Sequence, residues 1–111
     1  MPHFEAAYTA ARECGDSLLA SYAVRHLAFA WDADGRHDDA RRGFEESVEL
    51  RRADGFLPGV AAGLLTLAEV AHERGRDDEA RSLLAEARET AERCGADAFL
   101  RRIEGVEEAL A

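Results

Sequence analysis

Lysine, asparagine and glutamine are missing from this 111-residue chain, so every permanent positive charge is an arginine. Any cationic contact it makes is therefore a planar guanidinium fork, a geometry suited to carboxylates. Proline and cysteine occur twice each, methionine and tryptophan once. The shortage of proline removes the chief breaker of helices, and the scarcity of β-branched residues leaves a sheet little to build with. No apolar run approaches the ~20 residues that a membrane-crossing helix needs. The opening Met1-Pro2-His3-Phe4-Glu5 is not the start of a secretion signal. Two cysteines, Cys14 and Cys94, are too few for a disulfide framework and fit a reduced, cytoplasmic setting. Positive charge as a whole is short: 14 arginines stand against 23 acids, a net charge of −9. Without a basic run there is nothing to release counterions from phosphates, which argues against nucleic acid and against an anionic membrane surface.

Alanine, leucine, glutamate and arginine dominate what remains, and all four lose little rotamer freedom on a helical backbone. With 47% hydrophobic and 33% charged residues the composition is that of a folded all-α domain. Its length suits one domain, residues 1–111, and not two.

The chain repeats itself at a shift of 40 residues. Gly35-Arg36-His37-Asp38-Asp39-Ala40-Arg41 falls on Gly75-Arg76-Asp77-Asp78-Glu79-Ala80-Arg81. Phe4, Phe44 and Leu84 share a column, as do Ala7, Ser47 and Ala87, and Gly15, Gly55 and Gly95. Gly35 and Gly75 sit where a helix must stop and the chain reverse, a place that asks for positive φ. The acids behind them favour the positive end of the next helix. Small Ala40 and Ala80 permit close backbone approach. Apolar residues recur at helical spacing, as Val24, Leu27, Ala28 and Trp31 and again as Leu64, Leu67, Ala68 and Ala71.

These marks predict about six helices. An opening helix covers Pro2–Cys14, followed by a pair at Asp16–Asp34 and Arg36–Ala53. A second pair lies at Leu57–Arg74 and Arg76–Cys94, and a capping helix at Asp97–Leu110 carries Phe99, Leu100, Ile103, Val106 and Leu110. The extra residue in Gly95-Ala96-Asp97 leaves the register of this last helix open. Short glycine turns make neighbouring helices antiparallel.

The pattern resembles the tetratricopeptide repeat family. The resemblance rests on Leu27, Ala28, Trp31, Gly35, Ala40, Phe44 and Ser47 in the first pair and Leu67, Ala68, Ala71, Gly75, Ala80, Leu84 and Ala87 in the second. The usual unit is about 34 residues; a step of 40 implies longer helices, similar to the repeat arrays of bacterial regulators. The usual closing proline is absent, with Asp54-Gly55 and Cys94-Gly95 in its place. The resemblance implies a short α-solenoid that binds a peptide or protein segment on the concave face formed by the first helix of each pair. Carried over to this chain, that face holds Tyr22, Arg25, His26, Phe29, Leu65, Glu69 and His72. Tyr22, Arg25 and Phe29 fall on one helical stripe, either as an aromatic–arginine anchor for a partner or packed under the opening helix. Family members that grip a terminal carboxylate use lysine and asparagine, which this chain does not have.

No catalytic constellation emerges: there is no serine elbow, no phosphate-cradling loop and no carboxylate pair in a cleft. We therefore expect no enzyme activity and no cofactor. The four histidines lack the spacing of a zinc site, so no metal is expected. Cys14 and Cys94, two repeats apart, are expected to stay unbridged and to pack as small apolar residues. The opening helix aligns with second helices and so lacks its own first helix. Its flank of Phe4, Ala7, Tyr8 and Ala11 is expected either to continue a longer array or to be covered by self-association, most simply a homodimer. Two functions follow as alternatives: an adaptor that presents a groove to a protein segment, or an assembly element. A small-molecule pocket ranks third, because two helix pairs make a shallow cradle.

Overall fold

The computed structural model describes residues 2–111, with side chains from residue 4 onward. Six helices account for nearly all of them: α1 Pro2–Glu13, α2 Ser17–Ala33, α3 His37–Ala53, α4 Leu57–Glu73, α5 Asp77–Cys94 and α6 Asp97–Leu110. No strand occurs among the described residues. The protein is all-α, built of adjacent packed helices in the manner of a short α-solenoid.

The turns explain the periodicity. Gly15, Gly35, Gly55, Gly75 and Gly95 all lie in the left-handed region, with φ between +68° and +84°. An L side chain there would bring its Cβ against the following carbonyl. At four of these turns the next residue donates its N–H to a carbonyl five residues back: Asp16 to Ala11, Arg36 to Trp31, Arg76 to Ala71 and Ala96 to Ala91, at 2.8–2.9 Å. That is the Schellman arrangement, which satisfies carbonyls otherwise orphaned at a helix end. The same residues stand at the N-cap of the next helix, so each turn ends one helix and starts another. Asp16 is the clearest case. The sequence places it inside the helix, but its side chain accepts the Leu19 N–H at 3.0 Å and the helix starts at Ser17. Helices of 17 residues separated by three-residue turns give a step of 20 and a repeat of 40. The 18-residue α5 takes up the extra residue, and α6 starts at Asp97, 40 residues after Leu57, so its register with α4 is kept.

The helices group into two compact units, residues 1–55 and 56–111. In the first, α1 and α3 each pack on α2, around buried Ala20, Val24, Leu27, Ala28, Ala40, Phe44 and Val48. In the second, α4 and α5 form the main hairpin and α6 packs on both. Its buried residues include Leu64, Leu67, Ala68, Ala80, Leu84, Ala87 and Ile103. Ala28 and Ala40, like Ala68 and Ala80, are completely covered, as expected of small residues that let two backbones approach. Trp31 has a more specific requirement. A Cβ at position 43 would come 3.0 Å from the Ala28 Cβ and 3.1 Å from Trp31 Cζ3, so a side chain there would make Ala28 or the indole give by a few tenths of an ångström. The second repeat inverts the sizes: Ala71 stands for Trp31 and Leu83 for Gly43.

Each hairpin also carries a histidine–aspartate pair across its turn. In the first, Asp32 Oδ1 lies 2.7 Å from His37 Nδ1; in the second, His72 Nδ1 lies 3.0 Å from Asp77 Oδ1. Positions 32 and 72 are repeat equivalents, as are 37 and 77, so the two residues have exchanged places while the contact persists. Both cysteines are free thiols. Each Sγ lies 3.6–3.7 Å from the carbonyl oxygen three residues earlier, Ala11 for Cys14 and Ala91 for Cys94. Cys14 departs from the expected packed position: it is exposed, whereas Cys94 is half-buried.

Two glycine substitutions should have opposite effects. Gly75→Ala puts a Cβ on a backbone at φ +75° and should cost ~1–2 kcal/mol. Gly105 lies inside α6 with open space around its missing Cβ, so Gly105→Ala should gain ~0.5–1 kcal/mol. Urea unfolding followed by far-UV circular dichroism measures both.

Candidate functional site

Among the described residues, the large hydrophobic side chains that stay exposed are Leu18, Leu19, Tyr22 and Phe29, at 40–48% of their surface. All four belong to α2. Positions 18, 22, 25 and 29 advance by four, three and four residues and so form a single stripe along that helix. The stripe joins apolar to cationic character. The Arg25 guanidinium lies 5.1 Å from the centre of the Phe29 ring, and Phe29 meets Phe44 edge-on at 4.8 Å. These contacts hold Phe29 in place while leaving nearly half of it open.

A buried polar cluster supports Tyr22 from below. Arg51 of α3 is 2% exposed, and its guanidinium carbon lies 4.7 Å from the centre of the Tyr22 ring. Its Nε donates to Ser21 Oγ at 3.2 Å, and Ser21 Oγ donates to the Leu18 carbonyl at 2.6 Å. Ser47 Oγ donates to the Ser21 carbonyl at 2.8 Å. Burial lowers the Arg51 pKa, and neighbouring Tyr22 pushes it back up. The repeat equivalents of Ser21, Ser47 and Arg51 are Ala61, Ala87 and Ala91, so the second hairpin folds with three alanines at these positions. The cluster is thus an addition to the fold and not a requirement of it.

The expected interaction residues are distributed unevenly. Tyr22, Arg25 and Phe29 come together on α2. His26 points elsewhere: its ring stacks on Phe4 of α1 with centres 4.8 Å apart and planes at 15°. Leu65 is 1% exposed and has no surface to offer a partner. Its repeat equivalent, Arg25, is half-buried. Glu69 lies 3.8 Å from Arg102 of α6, and His72 forms the turn pair with Asp77.

The residues expected on a self-associating flank turn inward too. Ala11 is completely buried, Phe4 rests on His26, and the Tyr8 hydroxyl donates to Glu46 of α3. The apolar stripe of α1 is directed at the α2–α3 hairpin, because burying it there removes more apolar surface from water than leaving it open. Sequence reasoning passed over Leu18 and the Ser21–Ser47–Arg51 cluster. The cluster could have been found as three columns where alanine gives way to polar residues at the 40-residue shift.

Paired helices joined by glycine turns, with an exposed stripe on one helix, define a helical-repeat protein. A family model described as tetratricopeptide repeat matches residues 19–93, more than half of the chain. The chain belongs to the tetratricopeptide repeat family. No curated protein and no solved structure gave a significant match. Repeats of this family are generally protein-interaction modules and typically non-enzymatic scaffolds. No group of three histidine, cysteine or acidic residues that could hold a metal occurs among the described residues, and no helix among them is long and apolar enough to cross a membrane.

Two measurements test these contacts. Ser21→Ala removes an acceptor from a buried guanidinium and should cost ~1 kcal/mol or more. In an Arg51→Leu background the same change should cost measurably less, and a double-mutant cycle in urea reads the difference. Burial, followed by the hydrogen bond to Glu46, raises the Tyr8 pKa above its ordinary 10.0. A raised pKa means that the folded protein holds this proton longer than the unfolded chain does. Its contribution to stability is full below the unfolded pKa of ~10 and is lost as pH rises through the folded value. Tyr8→Phe should remove the later component of tyrosinate absorbance and flatten the fall in stability over that pH range.

Proposed function

We propose that the protein is a non-enzymatic interaction module that holds a protein or peptide segment along the exposed stripe of α2. The supporting observation is that Leu18, Leu19, Tyr22 and Phe29 stay open on one helix while α1 covers its own stripe against the hairpin. Tyrosine and arginine are favoured anchors, because they bury large amphipathic surface with few torsions to freeze. Phe29 supplies apolar area, Tyr22 a ring steadied by Arg51, and Arg25 a fork for a carboxylate on the partner. In a chain of net charge −9, the arginine beside the open Phe29 ring favours an acidic, apolar segment over a basic one. The same net charge disfavours nucleic acid as the partner.

The test is a quantitative pull-down from lysate of the source cell, comparing wild type with Arg25→Ala/Phe29→Ala. Truncating two anchors should weaken a specific partner by tenfold or more, roughly 1.4 kcal/mol or above. Circular dichroism and urea unfolding of the double variant check that the fold is kept, since Arg25 is half-buried and Phe29 meets Phe44 edge-on. Equal recovery of every partner by the two proteins would remove α2 as the binding surface.

A further inference from the structure

One face of the exposed Tyr22 ring is already occupied from within the hairpin. The buried Arg51 guanidinium lies over it, its carbon 4.7 Å from the ring centre, while 43% of the tyrosine stays exposed. A desolvated cation attracts an aromatic face more strongly than a hydrated one does, so this contact favours one pose of the ring over the others. The cation is itself anchored to the turn of α2 that carries the ring. Its Nε donates to Ser21 Oγ, Ser21 Oγ donates to the Leu18 carbonyl, and Ser47 Oγ donates to the Ser21 carbonyl. Ring, cation and backbone are tied together at one place on the helix.

The second hairpin is built without any of this. Ser21, Tyr22, Ser47 and Arg51 have as repeat equivalents Ala61, Ala62, Ala87 and Ala91. Ala61, Ala87 and Ala91 are completely buried, so small residues fill those positions without a charge. The ring and its support are present together in one hairpin and absent together from the other. Burying a guanidinium carries a desolvation penalty that alanine avoids. The cluster therefore answers to the ring and not to the packing of two helices.

We propose that Arg51 is a positioning residue: it holds the Tyr22 ring in one pose before a partner arrives, and so reduces the freedom that binding must remove. Ordering a large side chain in advance raises affinity without adding a contact. This rests on the reading of the α2 stripe as the segment-binding surface. It adds that the strength of that surface is set from inside the hairpin, by a side chain only 2% exposed and so out of a partner's reach.

Tyr8 and Tyr22 are the two tyrosines of the chain, so Tyr8→Phe assigns their ring signals. NMR relaxation of isotope-labelled tyrosine rings in the full chain tests the positioning directly. Arg51→Met keeps most of the side-chain length and removes the charge, and circular dichroism should show wild-type helix content. The Tyr22 ring should lose order in this variant, whereas the Tyr8 ring, bonded to Glu46, should not. Arg51→Lys restores a cation and should recover part of the order. If Arg51→Met misfolds, Ser21→Ala/Ser47→Ala/Arg51→Ala, which copies the second hairpin, takes its place.

The same variants are compared in the lysate pull-down, on a partner that Arg25→Ala/Phe29→Ala loses. Tyr22→Ala should weaken its retention about tenfold and Arg51→Met severalfold. In the Tyr22→Ala background Arg51→Met should have no further effect, a result that a merely structural role would not produce. An equally ordered Tyr22 ring in Arg51→Met, or a further loss in the Tyr22→Ala background, would overturn the proposal. Retention of every partner by Arg25→Ala/Phe29→Ala would instead remove the α2 reading and the role in binding with it. The ring measurement needs no partner and decides the positioning by itself.

Discussion

Everything in this structure depends on a left-handed glycine every twenty residues. Each one lets the chain reverse within two or three residues, and at four of them the following N–H reaches back to a carbonyl five positions earlier. Only glycine occupies that backbone region without steric cost. Because the turns are alike, helices of equal length follow one another and equivalent residues return in step. The 40-residue step follows from a repeated turn and helix length, and the shared glycine, alanine and apolar columns keep it.

The two hairpins consequently serve as controls for each other. Where they share a residue type, as in Ala40 and Ala80, the fold requires it. Where they differ in a coupled way, the difference shows what is exchangeable. Trp31 against Gly43 becomes Ala71 against Leu83, large on small turned into small on large. Asp32 with His37 becomes His72 with Asp77, the same contact with its partners exchanged. Ser21, Ser47 and Arg51 have no counterpart: three alanines replace them. A buried guanidinium is expensive to desolvate, and a hairpin of the same geometry exists without one. Its presence under Tyr22 is peculiar to the first hairpin.

The helices were legible in the sequence because their cause is local. Val24, Leu27, Ala28 and Trp31 declare a helical face by spacing alone, and Gly35 declares its end by conformation alone. The boundary at Ser17 was displaced by one residue because an aspartate can sit in the first turn or cap it, and only its hydrogen bond to Leu19 decides. The family was legible for the same reason, since its pattern consists of those same apolar and small positions.

The site was legible only in part. Tyr22, Arg25 and Phe29 lie on one helix, so helical spacing was enough to group them. Contacts between helices were out of its reach. Phe4 and His26, 22 positions apart, stack because α1 lies on α2. Tyr8 reaches Glu46, and Arg51 reaches under Tyr22, through the packing of whole helices. The family resemblance put Leu65 on the concave face, yet it is buried, because exposure belongs to the neighbours and not to the residue. The sequence by itself determined where helices begin, end and reverse, since those choices are made by glycine, by apolar spacing and by bonds within a few residues. Tertiary packing decided which face of α2 stays open, which face of α1 is spent, and which charges meet across the first unit. Those outcomes depend on contacts between residues tens of positions apart, which no local pattern encodes.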